Sequence, residues 1–349
     1  MKQYLAYMVF IAIVVLAGAE TFLRITGKYA TYPESIGLSY TSYYNASYPT
    51  WYITRPPNQN FTPPNTDFHY PYAINSLGLR EKNFERNKKD STIRIFATGD
   101  SFSEGQGAPY DSTWPHLLSH YLANNGINAE VLNTGVAGSD PVYNYVFHRD
   151  ILKGYRADYL IISINSSDFT DYMLRGGFER FHSDGTTHYV SGPWYEPFYH
   201  YSYFGRGFIE WVGRFPFRGI FSNEHDFAVS ADKAMDCYSA VIDSFSNLVR
   251  PDSTRIIVLL YSTPSDIRYK NNEMEIFRQS FINLQQRLDK KNIACINLWD
   301  DLKSQLVDKD YNLYTYNNDS HYKPYGYNLM AQLVEKNLID KGIIPVKNP

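Results

Sequence analysis

Five short apolar runs, each followed by a stretch of helix length, constrain this chain more than any other feature. They occupy residues 93–98, 130–133, 159–164, 255–261 and 294–298. The stretches near 113–124, 142–152, 230–248, 274–288 and 324–336 read as helices. Runs such as YLIISI at 159–164 and RIIVLLY at 255–261 do not alternate with polar residues. They need apolar cover on both faces, which a parallel sheet between two layers of helices supplies. Right-handed crossovers make an open, doubly wound α/β sheet the natural result. Such sheets keep their sites at the carboxyl ends of the strands. Ser101, Gly138, Ser167 and the loop before residue 324 then share one rim.

The chain has 349 residues, 44% of them hydrophobic and 20% charged, enough for one large domain or two modest ones. A net charge of −3 gives no support to a nucleic-acid partner, which calls for a basic face. The 32 tyrosines offer flat apolar area with a hydroxyl, suited to sugar or interface contacts, and a biased genome composition explains the same count. Cys237 and Cys295 are the only cysteines. They read either as one disulfide of an exported domain or as two buried thiols, and no spacing points to a metal.

Residues 4–19, YLAYMVFIAIVVLAGA, carry no charge. Residues 1–27 therefore read as a membrane anchor or as a signal peptide cut before Glu20, and both place the rest of the chain outside the cytoplasm. Residues 28–90, rich in Tyr, Pro, Asn and Thr, read as an extended arm that packs on the domain. The domain itself is expected over 91–345, interrupted at 172–229 by an aromatic insertion that includes Trp194, Tyr195, Tyr199, Tyr201 and Tyr203. Those aromatics suit either a glycan or a small satellite core.

The first apolar run ends in Gly99-Asp100-Ser101. A serine hydroxyl is a weak nucleophile until a base takes its proton. His321 is the candidate base, with Asp319 two residues earlier to fix its tautomer and Pro324 opening the last helix. Asn133-Thr134-Gly135-Val136-Ala137-Gly138 comes after the second run. The amides of Gly138 and Ser101 are candidate oxyanion donors. Competing patterns fit less well. Gly99-x-Ser101-x-Ser103 is not a Gly-x-Ser-x-Gly elbow, and Gly105-Gln106-Gly107 lacks the third glycine of a dinucleotide loop. His116 and His120 lack the glutamate of a zinc protease, and Asp168 with Asp171 reads as a hydrogen-bonded loop. No cofactor or metal is expected.

These blocks resemble those of the SGNH/GDSL hydrolase family. Gly99-Asp100-Ser101-Phe102-Ser103 is similar to its nucleophile block, Asn133 to Gly138 to its glycine block, and Asp319-Ser320-His321 to its Asp–His block. INSLGLR at 74–80 resembles the segment before the nucleophile in membrane-anchored, exported members. The resemblance spans roughly residues 93–337. It implies a flavodoxin-like three-layer α/β/α sandwich around a five-stranded parallel sheet. It also implies ester hydrolysis or acyl transfer through a serine ester, without a metal. One block departs: where the family carries Gly-x-Asn-Asp, this chain has Asn165-Ser166-Ser167-Asp168. Ser167 stands in the place of an oxyanion-donating Asn, with Asn165 as the other candidate.

The expectation is an exported, membrane-tethered serine esterase or O-acyltransferase acting on a small-molecule, glycan or lipid ester, with Ser101, His321 and Asp319 as the triad. Two other readings are carried: a non-catalytic protein of the same fold that binds envelope polysaccharide, and a lipase with an apolar lid at 204–221.

Overall fold

The computed structural model describes residues 2–28, 55, 57–63, 65–175, 177–180, 198, 202–212, 227–268 and 272–345. In chain order the elements are α1 (Lys2–Thr26), β1 (Asn60–Phe61), β2 (Tyr72–Ala73), β3 (Ile93–Thr98), α2 (Ser101–Glu104), α3 (Trp114–Asn124), β4 (Ala129–Asn133), α4 (Pro141–Asp150), β5 (Tyr159–Asn165) and α5 (Ser166–Arg175). They continue with α6 (Tyr203–Val212), α7 (Phe227–Val249), β6 (Arg255–Tyr261), α8 (Pro264–Arg268), α9 (Asn272–Lys290), β7 (Ala294–Asn297), α10 (Trp299–Leu306), α11 (Tyr311–Tyr314) and α12 (Pro324–Asp340). All five expected strands are present, with ends shifted by at most one residue.

Strands β3 to β7 form one parallel sheet in the order β4-β3-β5-β6-β7. The chain winds one way from β3 to β4 and then reverses to β5. The crevice of a doubly wound sheet opens at that reversal, beyond the carboxyl ends of β3 and β5. Successive strand residues face opposite layers, as the pleat requires. Ile95, Ala97, Ile161, Ile257 and Leu259 pack with α3, α10 and α12. Phe96, Leu160, Ile162, Val258 and Leu260 pack with α4, α7 and α9. Both faces are covered, so the runs are predominantly apolar.

The cysteines lie in α7 and β7 and are not joined to each other. Burial pushes the Cys295 thiol up to about 12. Of the expected insertion, the described residues show the end of α5, a 3-10 turn at Gly177–Arg180, α6 and the start of α7. Trp194, Tyr195, Tyr199 and Tyr201 lie outside the described residues, as do 29–54 of the arm and 213–221 of the apolar segment.

The described part of the arm is built into the sheet's rim. β1 pairs antiparallel with β2. Arg55 grips the buried Glu104 carboxylate through two bonds, Nε–Oε1 at 2.6 Å and Nη2–Oε2 at 2.7 Å. The buried Arg80 stacks 3.6 Å over the ring of Tyr72 and donates to the carbonyls of Glu104, Gly105 and Ala108. Glu81 accepts from the Asn133 amide at 2.9 Å and from the Tyr110 hydroxyl. Removing one partner of a buried ion pair strands the other in low dielectric. Arg55→Ala is therefore expected to destabilise the chain by about 3–5 kcal/mol in chemical denaturation. Adding Glu104→Gln should recover a good part of that loss; no recovery would mean that the pair is not what matters at this position.

Candidate active site

β3 ends at Thr98, and Gly99 comes next because a side chain there has no room: a Cβ would lie 2.4 Å from Ser103 Oγ. Asp100 caps α2, its Oδ1 accepting the Phe102 amide at 2.9 Å. Ser101 is thus the first residue of a four-residue helix, half-buried, with its hydroxyl on the rim. A first-turn amide has no partner within its own helix. Among the described residues nothing accepts from the Ser101 amide.

The other side of the site comes from the far end of the chain. Thr315 bridges to Tyr322, and its hydroxyl donates to the His321 carbonyl at 3.0 Å. Tyr322 donates to the Ser262 carbonyl at 2.7 Å, and Pro324 opens α12. This anchored loop brings His321 Nε2 to 2.6 Å from Ser101 Oγ and His321 Nδ1 to 2.6 Å from Asp319 Oδ1. The Phe102 ring lies 4.6 Å from the imidazole, centroid to centroid, and fixes its plane.

Asp319 is held from several directions. Its Oδ1 also accepts the His321 amide at 2.9 Å. Its Oδ2 accepts from Asn65 Nδ2 at 2.8 Å and Gln106 Nε2 at 3.1 Å. Burial pushes this carboxyl up, but the hydrogen bond and charge of His321, the His321 amide and Gln106 outweigh it and hold it well below the usual carboxylate range. Asn65 and Gln106 were not singled out in the sequence. Nothing in a lone Asn of a Pro-rich arm marks it as a neighbour of residue 319.

The loop after β4 supplies the glycine block. The Val136 amide donates to the Gly99 carbonyl at 2.9 Å, and the Gly135 amide to Asn133 Oδ1 at 3.0 Å. Gly135 presses on α2 so closely that a Cβ would lie 2.6 Å from the Glu104 amide nitrogen. Gly138 has φ +76°, a left-handed conformation that glycine adopts without strain. Its amide, like that of Ser101, donates to no acceptor among the described residues.

The third donor expected from Ser167 or Asn165 is not in place. Asn165 Nδ2 donates to Asp100 Oδ2 and to the Tyr261 hydroxyl oxygen, both at 2.9 Å. The Ser167 hydroxyl lies 2.7 Å from Asn165 Oδ1 and 3.2 Å from Asp100 Oδ2, so its single proton turns inward. Asn165 Oδ1 is the nearer acceptor, and Asp100 Oδ2 is the farther one. The Asp100 carboxylate is buried and needs donors, and burial, opposed by these same bonds, leaves its pKa above the ordinary value. Asp168, the other polar residue of this block, accepts the Asn165 amide at 2.8 Å and is likewise raised by burial. His116 and His120 meet each other, Nε2 to Nε2 at 3.1 Å, on the exposed face of α3. Among the described residues no group of three or more His, Cys, Asp and Glu side chains is placed to hold a metal ion.

No protein-family model matches the sequence, and no curated protein does. Solved structures do. The chain is similar to a member of the lipolytic protein G-D-S-L family from Veillonella parvula at 14% identity, covering 69% of this chain and 96% of that one, with a TM-score of 0.42. A mutant acetyl-xylooligosaccharide esterase from Geobacillus gives 13% identity, 74% and 97% coverage and a TM-score of 0.45. A GDSL-like lipase from Bacteroides thetaiotaomicron gives 11%, 74% and 93%, and 0.39.

A carboxyl whose pKa is depressed by folding adds stability above its unfolded value, about 3.9, and that stability is lost as pH falls through the lower folded value. Asp319→Asn is expected to melt below the parent at neutral pH and to converge with it as the medium is acidified below about pH 4. Thermal melts across that range check this; a gap that stays constant into acid would show that Asp319 is not held as an anion.

Proposed function

We propose that this chain is a serine ester hydrolase or O-acyltransferase of the SGNH type, using Ser101, His321 and Asp319. One observation carries the reading. Ser101 Oγ, His321 and Asp319 form a continuous hydrogen-bonded relay at the carboxyl end of β3; the Ser101 amide is unengaged, and so is that of Gly138, on the loop whose Val136 and Ser139 bond to the Gly99 carbonyl. His321 Nε2 takes the Ser101 proton as Oγ bonds to the acyl carbon. The carbonyl oxygen becomes an oxyanion facing the Ser101 and Gly138 amides. Asp319 keeps Nδ1 protonated and stabilises the imidazolium. The intermediate collapses, and the alcohol leaves with the proton from Nε2. A water or an acceptor hydroxyl then gives a proton to Nε2 as its oxygen bonds to the acyl carbon; the Oγ–acyl bond breaks, and Nε2 returns the proton to Ser101 Oγ.

The substrate class is an acyl ester on a glycan or lipid. α1 supports an extracytoplasmic, membrane-tethered location: its Gln3–Thr26 stretch is long and apolar enough to span a bilayer and lies unburied. The division into an anchor (1–27), an arm (28–90) and a domain (91–345) belongs to the same proposal. A second, non-catalytic reading is favoured by one observation, the inward Ser167 hydroxyl, which leaves the oxyanion two backbone donors.

A fluorophosphonate probe separates the two readings. The full chain should be labelled, and Ser101→Ala and His321→Ala should each abolish labelling while retaining the parent's thermal transition. A folded chain that no probe of this class labels would favour the binding reading. The same geometry makes Ser167→Ala cheap. Losing a true oxyanion donor costs about 10²–10³ in turnover, whereas this change should cost less than about tenfold on an activated acyl ester. A loss of the larger size would return Ser167 to the oxyanion site.

A further inference from the structure

The apolar stretch of α1 ends at a charged residue that does not stand alone. Residues 3–19 contain no charge and rise about 25 Å as a helix, close to the thickness of a bilayer's hydrocarbon core. Glu20 comes at the end of that span. A carboxylate at the edge of hydrocarbon must find donors. Glu20 finds them at the amino end of α6: Oε2 accepts from the hydroxyl of Ser202, the residue before the helix, at 2.9 Å and from the Phe204 amide at 2.8 Å, and Oε1 accepts from the Tyr203 amide at 3.1 Å. Arg24 closes the joint, its Nε 2.6 Å from Glu20 Oε1 and its guanidinium 4.8 Å from the Tyr203 ring centre. The α6 amino terminus is therefore pinned at the depth where α1 leaves the bilayer.

From that point α6 presents Phe204, Phe208 and Trp211 at positions i, i+4 and i+7, one helical face. Phe204 and Phe208 stack at 6.4 Å, and Phe208 lies 6.3 Å from Trp211. Toward their outer end these rings remain in part open to solvent: Phe208 is 40% exposed and Trp211 58%. Rings of this kind settle at the headgroup level of a membrane, where an amphipathic helix lies in the plane of the interface.

We propose that α6 is an interfacial helix that inserts the Phe208–Trp211 face into the outer leaflet of the same bilayer that α1 crosses, with Glu20 as the joint between them. The occupant of this apolar face is phospholipid. The proposal rests on the reading of α1 as a retained membrane span, and not on the chemistry assigned to Ser101. It gives the domain a second attachment to the membrane besides its tether. That attachment lies in the connection leaving the carboxyl end of β5, the strand beside Ser101, so the rim is held near the lipid surface rather than swinging on a free arm.

The test uses the full chain reconstituted in phosphatidylcholine vesicles, with and without phosphatidylcholine brominated just below the headgroup. Flotation is read first: a chain that does not float overturns the membrane reading and this inference with it. In floating chain, tryptophan emission should be quenched by the brominated lipid. Trp211→Phe should lose that quenched component, and Phe208→Trp should add to it. Equal quenching in the parent and both variants overturns the inference while leaving α1 in the membrane. Acrylamide then tells what covers the face instead, since access from water marks a free helix and protection marks a protein contact. Loss of lipid quenching in Glu20→Ala would show that the joint sets the depth of α6.

Discussion

The carboxylate of Glu104 is the fixed point on which the candidate site is built. It closes the short helix that begins with Ser101, and it is buried. A buried carboxylate is tolerated only with a partner, and Arg55 supplies a two-bond one. The neighbouring backbone is then spoken for on every side. Arg80 and Asn133 donate to the Glu104 carbonyl, and Gly135 presses on the Glu104 amide. The nucleophile turn, the glycine loop and the arm thus meet at one residue. Moving any of them shifts the Ser101 amide relative to the loop that carries Gly138, the two parts of the proposed oxyanion site.

The arm reaches both ends of the relay. Arg55, Arg80 and Glu81 fix the serine side, and Asn65 fixes the acid side. Asp67 extends the second contact, accepting from the Asn318 amide at 2.8 Å and from its side chain at 3.1 Å. Tyr316 completes it with a bond to the Gly107 carbonyl at 2.6 Å and a ring contact with Phe68 at 5.1 Å. The geometry near the proposed triad therefore depends on sequence that contributes no strand to the sheet.

Strand positions were legible in the sequence because a doubly covered sheet calls for mostly apolar residues on both faces, as Tyr159 to Ile164 show, with the one polar member, Ser163, hydrogen-bonded to Ser103. The rim residues were legible because the first strand, its glycine turn and a histidine just before a helix-opening proline each carry a local signature. Side-chain direction was not legible. Ser167 occupies the expected place, but its hydroxyl turns inward to Asn165 Oδ1, with Asp100 Oδ2 as the farther acceptor, an arrangement that no spacing encodes. Nor could the sequence place Asn65 beside Asp319, since the fold alone brings them together.

The order in which those partners appear has a further meaning. Chains are made from the amino terminus, and early segments can settle before late ones exist. Here Ser101, the glycine loop and the arm that braces them all precede residue 140, whereas His321 and Asp319, the proposed base and acid, arrive at 319–321. Until that loop and the helix behind it have docked, Ser101 has no proton acceptor and Asn65 has no carboxylate to hold. On the proposed chemistry, a chain in which the 319–321 loop has not yet docked holds Ser101 without the partner that would activate it.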